Sequence, residues 1–92
     1  MTINELLDVL NTIPYDKLTK GTVYCRVNTF TYDVSSLARV DIDFMRGNTC
    51  MGFIRVFGNN TINSVQRING IVNETMEQVI AYLEIIGFKN DH

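Results

Sequence analysis

The chain reads as an α+β fold: an N-terminal helix, a three-stranded antiparallel sheet, a short further element and a C-terminal helix, with the helices packed on one sheet face. Three observations predict it. Apolar residues recur at helical spacing near both ends of the chain. The stretch from Thr22 to Phe57 is dense in β-branched and aromatic residues, which suit strands. Gly47-Asn48 interrupts that stretch with a two-residue hairpin signal. All 92 residues are assigned to one domain, because two halves would be too small to bury a useful core.

The first helix starts at a capping box, Thr2-Ile3-Asn4-Glu5, in which hydroxyl and carboxylate each satisfy an otherwise orphan amide. Ile3, Leu6, Leu7 and Leu10 form its apolar stripe, and Pro14 disfavours helix at Ile13, so it should end by about Thr12. Tyr15 to Gly21 reads as a connector. The first strand runs from Thr22 to Tyr32, a polar link occupies Asp33 to Ser36, and residues 37 to 45 alternate cleanly as the second strand. After Gly47-Asn48, Thr49 to Phe57 returns as the third. Residues 58 to 72 carry two signals. Ile62, Val65 and Ile68 fit a short helix, while Asn69-Gly70 also matches a hairpin turn; the helix, closed by Asn69-Gly70, is the reading adopted. The last helix is placed from a second capping box, Thr75-Met76-Glu77-Gln78, with Met76, Val79, Ile80, Leu83 and Ile86 as its stripe. Gly87 suits a left-handed C-terminal cap, with Phe88 supplying the accompanying apolar contact.

Turn lengths set the register. A two-residue turn at Gly47-Asn48 pairs Phe44 with Met51, Ile42 with Phe53 and Asp41 with Ile54. A four-residue link at Asp33 to Ser36 pairs Val27 with Ile42, Arg26 with Asp43 and Asn28 with Asp41. The core face then collects Val23, Cys25, Val27, Ala38, Val40, Ile42, Phe44, Met51, Phe53 and Phe57, with Arg55 as a charged intruder whose stem snorkels near an edge. The opposite face carries Tyr24, Arg26, Asn28, Phe30, Tyr32, Arg39, Asp41 and Asp43, together with Ile54 and Val56. Arg26 opposite Asp43 supports this register, since opposite charges favour cross-strand pairing. Those first eight residues mix tyrosine, phenylalanine and arginine with acids, the makeup of protein-binding patches. They are the candidate partner-binding residues.

Composition narrows the chemistry. The net charge is −2 and the eight basic residues are scattered, so no basic stripe for phosphate is present and direct nucleic-acid binding is not expected. Cys25 and Cys50 are far apart, without a CxxC and without a companion for the lone His92, so a tetrahedral metal site is not expected. Both cysteines fall in strands as small hydrophobes. Neither thiol nor any serine has a histidine partner for nucleophilic catalysis. Asp41-Ile42-Asp43 puts two carboxylates on one face, roughly 7 Å apart by strand geometry. Two such acids could hold Mg²⁺ in a small enzyme, but no motif adds a third ligand, and arginines flank them. No signal segment and no membrane-length apolar run is read, which places the chain in the cytoplasm, off membranes and without cofactors.

The expected function is therefore non-catalytic protein binding, with a homodimeric structural or assembly subunit as the alternative. Ten asparagines and ten isoleucines fit an AT-rich genome, such as a low-GC bacterium or its phage. In size, acidity and element order the chain resembles the tiny α+β inhibitors that phages encode against host machinery, anti-CRISPR proteins among them. That resemblance implies a host enzyme or nuclease complex as partner and occlusion of a binding site as the mechanism.

Overall fold

In the computed structural model, residues 1–30, 38–66 and 70–90 are described. The element order is α1 (Ile3–Leu10), α2 (Tyr15–Leu18), β1 (Val23–Phe30), β2 (Arg39–Arg46), β3 (Thr49–Phe57), β4 (Thr61–Gln66), α3 (Gly70–Ile85) and β5 (Lys89–Asn90). The α+β class stands, but among the described residues the sheet has five strands rather than three, ordered β1-β2-β3-β4-β5. The first four form an antiparallel meander, and β5 joins β4 in parallel.

Helix α1 begins where its capping box requires. The Thr2 hydroxyl accepts from the Glu5 amide at 3.2 Å and donates to the Glu5 carboxylate at 3.1 Å. The segment after Pro14 is a single helical turn, α2, rather than a plain connector. Its Tyr15 and Leu18 sit half-buried against the core, so packing holds a turn too short to stand alone.

The stretch read as a short helix is instead strand β4. The chain reverses at Gly58-Asn59-Asn60, where Asn60 takes φ +67° and the Asn59 carboxamide accepts from the Thr61 amide and hydroxyl. The inward side chains of β4 are Ile62, Ser64 and Gln66, so only one is apolar and the strand's alternation is hidden. Val65, which supplied the helical spacing with Ile62, is half exposed on the other face. Arg67 to Asn69 lie outside the described residues, as do Thr31 to Leu37, which include Tyr32 and the expected link at Asp33 to Ser36.

Helix α3 starts at Gly70, five residues before the expected cap, and runs for 16 residues. Thr75 is not its N-cap. It is fully buried in the helix, where its hydroxyl donates to the Ile71 carbonyl at 3.0 Å, the alternative use of a helical threonine. The C-terminus is as expected: Gly87 has φ +108°, its amide donates to Glu84 O, and the Phe88 amide donates to Leu83 O. Phe88 is buried beside that cap.

Among the described residues the core is one cluster. Leu6 and Leu10 of α1 and Val72, Met76, Val79, Ile80 and Leu83 of α3 meet Val23, Val40, Ile42, Phe44, Ile54, Val56 and Ile62 from the sheet. Both long helices therefore cover the same sheet face, as the sequence implied.

Candidate functional site

The face of the sheet turned away from α1 and α3 is set by register. Between β1 and β2 the pairs are Arg26↔Asp43, Val27↔Ile42 and Asn28↔Asp41, as read from the sequence. Between β2 and β3 the expected pairs are displaced by one: Phe44 faces Gly52, Ile42 faces Ile54 and Asp41 faces Arg55. The cause is a β-bulge. Met45 pairs with Cys50 while Phe44 pairs with Gly52, which leaves Met51 as the extra residue on β3. A one-residue slip exchanges the two faces of a strand. Ile54 and Val56 are accordingly core residues with no exposure, and Phe53, Arg55 and Phe57 belong to the outer face. Arg55 is thus no intruder in the core; it lies beside the aspartates.

The outer face organises its charges in two groups. Asp43 is contacted from β1 by Arg26 (Nη2 to Oδ2, 3.3 Å) and by the Asn28 carboxamide, which donates to the same oxygen. Asp41 lies between two arginines, with Arg39 Nε 3.6 Å from Oδ1 and Arg55 Nε 3.7 Å from Oδ2. The Arg55 guanidinium also sits over the Phe53 ring, 4.9 Å from its centroid, a cation–π arrangement. Asp41 is 5% exposed although it lies on the side away from the helices. Burial raises its pKa above the usual carboxylate value; Arg39 and Arg55 pull the other way, and the neighbouring Asp43 adds to the rise. The Tyr24 hydroxyl donates to Gly47 O at 2.8 Å, tying the first strand to the hairpin turn, while its ring remains exposed.

Of the eight residues expected on this face, Tyr24, Arg26, Asn28, Arg39, Asp41 and Asp43 are brought together on β1 and β2. Phe30 occupies the matching position at the end of β1, opposite Arg39, and Tyr32 lies outside the described residues. Sequence reasoning missed Phe53, Arg55 and Phe57. The one available signal was Arg55 itself, a charge placed among core residues by the unbulged register.

Chemically the face offers guanidinium, carboxylate and aromatic groups, already mutually oriented. Within the cluster on β1 to β3, three arginines less two aspartates leave a net charge of +1. Among the described residues no three His, Cys, Asp or Glu side chains converge as metal ligands. A separate open concavity between β4 and α3, about 460 Å³, is lined by Ser64, Gln66, Glu77, Ile80, Glu84 and Asn90. No described helix is long and apolar enough to cross a membrane. Comparison of the chain with protein-family models, with curated proteins and with solved structures finds no match.

Proposed function

We propose that this chain is a non-catalytic protein-binding domain that docks through the outer sheet face and occludes a site on its partner. The observation that carries the reading is the preorganised cluster of Arg26, Asn28, Asp43, Arg39, Asp41, Arg55 and Phe53 on the face opposite the helices. Arginine and aromatic side chains supply most of the energy in protein interfaces, and holding them in place beforehand lowers the ordering cost of binding. The two aspartates interleaved with the arginines bring this cluster close to neutrality, which favours a protein surface over a phosphate backbone. In this reading the chain is a phage or mobile-element inhibitor of a cytoplasmic host enzyme or defence complex, anti-CRISPR-like in its mode of action, working without cofactor or catalysis.

The test is capture from lysate of a low-GC bacterium with the tagged chain and with a Tyr24→Ala/Arg55→Ala variant, followed by assay of the captured enzyme. Expected is a stoichiometric enzyme that the added chain inhibits and that the folded variant neither captures nor inhibits. Equal capture and inhibition by the folded variant would remove the outer face from the binding site.

A further inference from the structure

We infer that two copies of this chain associate through the outer edge of β1, pairing antiparallel about a two-fold axis at Val27. The inference goes beyond the docking face above and does not depend on it.

The hydrogen-bonding directions of β1 follow from the hairpin. In a two-residue turn the closing pair, Arg46↔Thr49, exchanges backbone bonds, so Arg46 and every second residue before it direct N–H and C=O toward β3. Ala38 fits this phase, accepting from the Gly58 amide at 2.8 Å. Met45, Asp43 and Asp41 therefore bond toward β1, where their partners are Tyr24, Arg26 and Asn28. The alternate residues Val23, Cys25, Val27 and Thr29 direct their amides and carbonyls away from the sheet. Val23 agrees, its amide donating outward to the Lys20 carbonyl at 3.2 Å. That bond closes one end of the edge and leaves Cys25, Val27 and Thr29, whose edge groups have no hydrogen bond to any described residue.

Three open positions at equal spacing are symmetric about the middle one. A second copy running antiparallel pairs Val27 with its own Val27 and Cys25 with the second copy's Thr29, each pair exchanging both backbone bonds. The intervening outer-face position sets Arg26 against the second copy's Asn28, and no like charges are opposed. Each Arg26, 54% exposed in its side chain, would lie between its own Asp43 and an Asn28 already bound to the second Asp43. The inward positions, Cys25 and Val27, are half-buried apolar groups that the second copy would cover. Among the usual edge protections, its eight residues include no proline, no lysine and no bulge, and their one charge, Arg26, is paired with Asp43. The product is one continuous ten-stranded sheet (five strands from each copy) in which the two outer faces adjoin.

Light scattering on the full chain over a dilution series, paired with amide hydrogen exchange by NMR, tests this. Expected at high concentration is twice the 10.5 kDa chain mass. The Cys25, Val27 and Thr29 amides should be protected there and lose protection on dilution, while Tyr24, Arg26 and Asn28 stay protected throughout. Thr29→Pro removes one outward donor at an exposed edge position, where proline is tolerated. It should leave the far-ultraviolet circular dichroism unchanged and the mass at one chain. Should that variant unfold, the exchange pattern of the unaltered chain decides. A single-chain mass up to the solubility limit would overturn the inference, as would a dimer whose Cys25, Val27 and Thr29 amides exchange freely.

Discussion

At Gly52 the sheet accepts α3 because a side chain is missing. A Cβ there would lie 2.8 Å from Met76 Sδ and 3.1 Å from the Val65 carbonyl oxygen, so helix and neighbouring strand both close over the glycine. In the sequence Gly52 is one glycine among several around a hairpin, and only the approach of Met76, 24 positions along the chain, gives it a role. Gly52→Ala should cost about 1–3 kcal/mol, the range for overpacking a filled core. Because the thioether can be shortened whereas the Val65 carbonyl belongs to the strand, Gly52→Ala with Met76→Val should cost less than the sum of the two single changes. Urea midpoints of the three variants measure this, and strict additivity would show that Met76 is not what the methyl meets. Thr75 teaches the same lesson. Its hydroxyl is equally competent to cap a helix or to bond back within one, and the local tetrapeptide does not distinguish them.

Among the elements, those with one apolar face were legible and those with two or none were not. Helix α1 and the cap at Gly87 follow from stripes and end signals that nothing contradicts. The β1–β2 register was legible because β2 alternates and Arg26 has a complementary charge at Asp43. Strand β3 is apolar on both faces, with Phe53 and Phe57 on one and Ile54 and Val56 on the other, so its period gives no orientation. The larger aromatic groups suggest the wrong face, and the bulge at Met51 decides for the smaller ones. Strand β4 failed for the opposite reason, since Ser64 and Gln66 occupy inward positions. The candidate site inherits this division: its β1 and β2 members were readable, its β3 members were not. The register makes a sharp prediction for two adjacent residues. Ile54→Asn buries an amide in the core and leaves a void, and should cost about 3 kcal/mol or more. Phe53→Asn, on the outer face, should cost under about 1.5 kcal/mol, mainly the lost ring beneath Arg55. Thermal melts of the pair check it, and a larger loss at Phe53 would restore the unbulged register.

At the scale of the whole molecule, three described groups, Asp41, Cys25 and Tyr15, bias stability in one direction. Asp41 in the folded chain holds its proton more tightly than an unfolded aspartate, whose pKa is about 3.9. Its contribution is therefore fully present below that value and is lost as pH rises through the raised folded value. Cys25 acts the same way at the alkaline end. Burial pushes its thiol up to about 12, against about 8.5 for an unfolded cysteine. Between those values the unfolded chain gives up a proton that the folded chain retains, so stability falls as pH rises. Tyr15, half-buried beside Cys25, is raised by burial as well and steepens the fall above pH 10 or so. Cys25 lies on β1 next to α2, so the strand at the sheet's edge is held by groups that must stay neutral. Melting temperatures between about pH 8 and 10 should decline in the unaltered chain, where cysteine ionises before tyrosine. In Cys25→Ala the absolute stability should be lower but the decline over that range shallower, because the linked proton is gone. An identical slope in both chains would mean that Cys25 ionises in place, and that the edge strand is open to water on its inner side.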